Sequence, residues 1–143
     1  MKMMTEKFKI IGKYIKDMSS ETKDAETYIY VKNQILKYQL NININSKAIK
    51  NKMVEINTIL KFEDKEDSKH KSYFEMTYAT IIKVNDEVKE KKELEKIILC
   101  DVQIKIYPDL EKAFLNMLHN SGYAGVEFEK KIDFENLYMQ RFN

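Results

Sequence analysis

The sequence predicts an α+β domain, a four-stranded antiparallel sheet with its helices packed on one face. Two observations carry the prediction. Four segments pair apolar with polar or mixed faces at a period of two, the signature of strands. Segments with helical spacing follow them rather than alternate with them, which is the order of an α+β chain. The 143 residues contain only three Gly and one Pro, so long regular elements joined by charged connections are expected and phosphate-cradling loops are not. The length is that of one domain spanning residues 1–143.

The first strand is expected over Phe8–Met18, with Phe8, Ile10, Tyr14 and Met18 on one side and Ile11 and Ile15 on the other. From Leu36 to Asn45 the alternation is nearly perfect: Leu36, Tyr38, Leu40, Ile42 and Ile44 face one way and Lys37, Gln39, Asn41, Asn43 and Asn45 the other. Val54 to Phe62 repeats the pattern after a hairpin connection over Ser46–Lys52. Glu63–Lys71 is a charged loop. The fourth strand, Ser72–Val84, carries Phe74, Met76, Tyr78, Ile82 and Val84 on one face, with Tyr73, Ala79 and Ile81 on the other. A strand apolar on both faces needs cover on both, and a second subunit is one source of it. On this ground Phe74, Met76 and Tyr78 are expected at a contact between dimers.

Leu94, Ile97, Ile98 and Asp101 have helical spacing and predict a helix from Val88 to about Asp101. Tyr107-Pro108 is expected to restart the chain, since the residue before Pro disfavours helical angles while Pro suits a first turn. Leu110, Phe114, Met117 and Leu118 then form a helical stripe closed by Ser121-Gly122. Tyr123–Ile132 is a linking segment, and Asp133 caps a last short helix carrying Leu137 and Tyr138.

Composition excludes several classes. Apolar residues are 43% and charged residues 34%, with a net charge of +2. Disorder, a membrane span and nucleic-acid binding all lack support in these values. The lone Cys100 allows no internal disulfide, and with only His70 and His119 it builds no structural zinc site. The start of the chain lacks the apolar core of a signal peptide, so a cytoplasmic location is expected. His70 and His119 read as surface residues, Cys100 as a buried apolar one, and Glu87, Glu90, Glu93 and Glu95 as a solvated helix face. No enzyme and no cofactor are expected.

Several strings carry a family likeness. Tyr14–Glu21 (YIKDMSSE) has the Lys-Asp-hydrophobic-Ser-x-Glu form typical of the first strand of the SecB protein-export chaperones. Glu75-Met76-Thr77-Tyr78-Ala79 resembles that family's fourth strand, Ile106-Tyr107-Pro108 its Leu-Phe-Pro, and Asp133–Tyr138 (DFENLY) its ending. From about Phe8 to the end, the chain resembles a divergent SecB-like protein. Asp24-Ala25-Glu26 stands where Ala-Pro is usual, Val102-Gln103 where Cys-Pro is usual, and residues 109–112 where an Arg follows the Pro. The acidic tail of the family is also missing from this sequence.

The resemblance implies an ATP-independent holdase for unfolded polypeptides, preproteins bound for export through SecA. It implies pairing through first strands and long helices, with two dimers stacked as a homotetramer. By motif match, Asp17, Glu21 and Glu75 would engage SecA. Tyr123, Val126, Phe128 and Ile132 would draw the client into a groove. A SecB-like chaperone of a toxin–antitoxin system, with an antitoxin as client, is an alternative. A non-chaperone adaptor or ligand-binding α+β domain is another.

Overall fold

The computed structural model describes residues 6–66, 69–129 and 131–141. In chain order it contains β1 (Phe8–Glu21), α1 (Ala25–Gln34), a 3-10 turn (Ile35–Lys37), β2 (Gln39–Ile49), β3 (Met53–Glu63) and β4 (Tyr73–Val84). There follow α2 (Lys91–Lys96), a π turn (Ile97–Asp101), α3 (Val102–Asn120) and α4 (Phe134–Arg141). The four strands form one antiparallel sheet in the order β1-β4-β3-β2. The predicted α+β class is the observed one.

Strand register decides which side chains meet. Leu40, Phe62, Phe74 and Ser20 form one cross-strand row, and Ile42, Leu60, Met76 and Met18 the next. Directly paired residues share a face, so these rows lie on the covered side of the sheet. There Phe74, Met76, Leu60, Ile56 and Ile82 pack with Ile106, Leu110, Phe114 and Leu118 of α3 in one core. Each such side chain contributes about 1.5–3 kcal/mol when fully buried.

The expected faces of β1 need correction. Ile11 and Lys16 are extra residues, because Ile10 pairs Ile82 while Gly12 pairs Ile81, and Ile15 pairs Tyr78 while Asp17 pairs Thr77. Each bulge flips the alternation. Ile15 thereby joins the covered side, and Tyr14 turns to the open side opposite Ala79.

The second strand begins at Gln39, and Leu36 belongs to the 3-10 turn before it. The connection to β3 is tighter than a moderate hairpin loop. Met53 N–H donates to Lys50 O, and Asn51 and Lys52 both take left-handed angles, with φ of 61° and 63°.

Two helical expectations also change. Helix α1 has no counterpart in the alternation pattern; Asp24 caps it by accepting from Thr27 N–H at 2.9 Å, and only Thr27 and Val31 are buried on it. So narrow a buried face leaves little periodic signal. Nor does the chain restart at Pro108. Helical structure runs without a gap from α2 through the π turn into α3, with Pro108 inside α3. Proline removes the donor for the carbonyl of Ile104; Ile104 is half-exposed, so solvent can meet that carbonyl.

The expected cap of α3 is present. Tyr123 N–H donates to Leu118 O and Gly122 N–H to His119 O, closing a Schellman motif around Gly122 at φ 106°. A Cβ at Gly122 would lie 2.6 Å from Tyr28 Cε1, and the Tyr28 hydroxyl donates to Gly122 O at 2.8 Å. Gly122→Ala is therefore expected to destabilise the fold by about 2 kcal/mol, since it combines left-handed strain with a steric overlap. Chemical denaturation followed by circular dichroism measures this, and an unchanged midpoint would refute the account.

Candidate functional site: an apolar groove and an acidic sheet face

The groove begins where the helical cover ends. Helix α3 lies over the middle of the sheet, and β2 is left at its outer edge. Residues 127–129 and 131–133 and helix α4 lie beside that edge and leave a cavity of about 970 Å³ between them and β2. Its apolar lining includes Leu36, Leu40, Ile42, Phe128, Ile132 and Leu137, and Glu127, Glu129, Lys131 and Asp133 also line it. The Phe128 ring sits 5.5 Å from Phe62 and 6.2 Å from Phe114, so the wall is continuous with the core.

The four residues expected in the groove divide into two pairs. Phe128 and Ile132 line it. Tyr123 and Val126 are buried behind it, each 3% exposed. Tyr123 packs edge-on against Phe74 at 5.5 Å, and its hydroxyl lies 3.1 Å from Ser72 Oγ and 3.4 Å from Thr22 Oγ1. Val126 O is 2.9 Å from His119 Nε2. These contacts anchor the linking segment, so Tyr123 and Val126 shape the groove without reaching its surface. Leu36, 90% exposed, is the groove residue that the alternation pattern hid by assigning it to a strand's buried face.

Phe74, Met76 and Tyr78 were expected between subunits, and here the structure corrects the reading. Phe74 and Met76 are fully buried inside this chain and Tyr78 nearly so. The chain's own helices use up that face. The apolar side chains left exposed near the other edge are Ile11, Ile15 and Met18 of β1 and Ile104 of α3.

The open face of the sheet gathers the expected acidic residues. Ser19 pairs with Glu75 and Asp17 with Thr77, while Glu21 pairs with Tyr73. Asp17 and Glu21 therefore flank the row of Glu75 on one face. Glu75 lies 4.0 Å from Lys61 on β3 and accepts a hydrogen bond from the Tyr73 hydroxyl. That bond, then burial, then the charges of Glu75, Glu21 and Glu63 push the Tyr73 phenol up to about 12. Farther along the same face Lys16 pairs with Glu55 and reaches Asn57 at 3.4 Å.

The His70 ring lies tilted beside Tyr30 at 5.7 Å with Nδ1 3.3 Å from Thr27 Oγ1, which ties the charged loop to α1. Cys100 is buried, and burial pushes its thiol up. No helix among the described residues is long and apolar enough to cross a membrane.

The acidic cluster around Tyr73 makes a titration prediction. A phenol raised from 10.0 to about 12 keeps its proton in the folded state after the unfolded chain has lost it. Its contribution is intact below pH ~10 and disappears between pH ~10 and ~12. Ultraviolet titration should show Tyr73 among the late tyrosines, beside Tyr107 and Tyr38, whose phenols burial also pushes up, and Glu75→Gln should return one of these late phenols toward the ordinary range. An unmoved titration would contradict the Tyr73–Glu75 bond.

The family model described as preprotein translocase subunit SecB matches residues 2–143. A provisionally named protein-export protein SecB of Pelagibacter ubique (strain HTCC1062) is 62% identical over 140 residues, covering 98% of this chain and all of that one. The protein-export protein SecB of Methylocella silvestris is 22% identical over 130 residues, 91% of this chain and 79% of the other. Among solved structures, a SecB-like chaperone of Mycobacterium tuberculosis, in complex with a ChAD peptide from an antitoxin, superposes with a TM-score of 0.63. It is 10% identical and matches 87% of this chain and 91% of its own. Its sheet-and-helix fold is the one described above, and with the match along nearly the full sequence the chain belongs to the SecB family.

Proposed function

We propose that this chain is an ATP-independent holdase that keeps unfolded polypeptides, above all preproteins for export, from aggregating in the cytosol. Family membership supports the chaperone role, and the groove beside β2 is the observation that carries the mechanism. An extended client buries alternate side chains against Leu36, Phe128, Ile132 and Leu137, and the backbone edge of β2 offers hydrogen bonds. Nothing in this mode consumes a nucleotide: affinity comes from apolar burial, and release follows when a partner or folding competes for the same segments.

The acidic face supports a second part of the reading. Asp17, Glu21 and Glu75 form the surface that SecA engages, with Lys61 and Tyr73 setting the orientation of Glu75. Self-association uses the β1 edge, where Ile11, Ile15, Met18 and Ile104 remain uncovered. Two subunits joined there bury these residues symmetrically, and two such dimers make the tetramer. An antitoxin client would occupy the same groove, so engagement of SecA is what separates the export role from a toxin–antitoxin role.

Three outcomes test this reading. Leu36→Asp, at a side chain 90% exposed, should leave folding intact and weaken binding of a reduced, alkylated polypeptide about tenfold, the scale of one lost apolar anchor. Unchanged affinity by fluorescence anisotropy would move the client off the groove. Asp17→Lys with Glu75→Lys should lower SecA affinity by about tenfold or more, and raising salt should weaken the wild-type complex similarly. If the double variant binds SecA as tightly as the wild type, the export assignment fails. Met18→Glu should shift light scattering toward a smaller species, and an unaltered mass would exclude β1 from the subunit contact.

A further inference from the structure

The π turn at the head of α3 is held by a buried polar contact. Val102 N–H donates to Ile97 O, five residues back instead of four. Such a turn inserts one residue into a helix and persists only where its surroundings hold it. Gln103, fully buried, supplies a holding contact: its Nε2 donates to Ile98 O at 3.1 Å inside the turn. Its Oε1 accepts from Thr58 Oγ1 on β3 at 2.9 Å, and Thr58 is also fully buried. Both ends of the amide are thus used, and leaving either unpaired in the core is unfavourable.

The turn has a second neighbour, α4, which packs against it. Leu99, within the turn, faces Phe134, Leu137 and Tyr138 across a cavity of about 360 Å³. Tyr107, after the turn, holds the ring of Phe134 at 5.5 Å. Helix α4 therefore rests on residues from the turn and from beyond it. Removing the inserted residue would rotate one part against the other by ~100° and shift it by ~1.5 Å. Leu137 lines both this cavity and the client groove.

We infer that Gln103 is a positioning residue for the groove, acting with Thr58 to hold the π turn so that α4 presents Leu137 to the client. The inference deepens the holdase reading and rests on the groove being the client site.

Three variants test it. Thr58→Val removes the donor at nearly constant shape, Gln103→Met removes the amide, and Thr58→Ser keeps the hydroxyl. The probe is a reduced, alkylated, fluorophore-labelled polypeptide, and hydrogen exchange reports on α4. Thr58→Val and Gln103→Met are expected to bind about threefold to tenfold more weakly, the scale of one hydrogen bond. The amides of α4 should exchange faster in both, while those late in α3 hold, and Thr58→Ser should restore binding and protection. Wild-type behaviour of Thr58→Val, weakened binding with α4 exchange unchanged, or failure of Thr58→Ser to restore it would each overturn the inference. If wild-type protein ignores the probe, the holdase reading falls, and α4 exchange in the variants still decides the coupling. Should neither variant fold, the wild-type chain decides: the probe should alter protection in 97–101 and 134–141 together, and a change confined to 134–141 overturns the proposal.

Discussion

The seal between one face of the sheet and the helical segment that crosses it is the constraint on which this molecule depends. Phe74, Met76, Leu60 and Ile82 have no exposure because Ile106, Leu110, Phe114 and Leu118 complete the same core. One helical layer is the cover this chain supplies. It runs over the centre of the sheet and leaves two edges and one face to be managed by other means.

The two edges are managed differently. Strand β1 is bulged at Ile11 and Lys16, which twists it and disturbs its alternation. Strand β2 runs in unbroken register with β3 and has no bulge. What lies beside it is the linking segment and α4, close enough to form a wall and far enough away to leave a groove. The groove is thus a consequence of incomplete cover. The aromatic contacts of Phe128 with Phe62 and Phe114 fix its inner wall, and the hydroxyls of Thr22, Ser72 and Tyr123 fasten the segment that bears Phe128.

The open face is mixed: Tyr14, Ile59 and Ile81 lie on it, among charges paired across strands. Lys16 with Glu55 and Lys61 with Glu75 bridge neighbouring positions, and Asn57 donates to Asn45 farther toward β2. Exposed pairs of this kind add little to stability. Their effect is on what can approach: toward Glu21 and Glu75 the face is acidic, with Tyr73 holding its proton among them.

The sequence by itself determined the strand pattern, the stripe Leu110–Leu118, the Gly122 stop and the Asp133 cap, because each rests on local periodicity or on the backbone preference of one residue. It also carried the family likeness, through short strings such as YIKDMSSE and DFENLY. The tertiary structure alone decided the rest. Bulges at Ile11 and Lys16 reversed the sides of Tyr14 and Ile15, since pairing with β4 sets register. Pro108 sits inside a continuous helix because burial of α3 outweighs one missing bond, where local preference alone predicted a break. Phe74 and Met76 face inward, and alternation cannot say whether an apolar face meets its own helices or a second subunit. Gln103 falls between the two helices that the sequence predicts; only the crossing of α3 over β3 sets it beside Thr58, where burial makes its amide an obligatory hydrogen-bonding group.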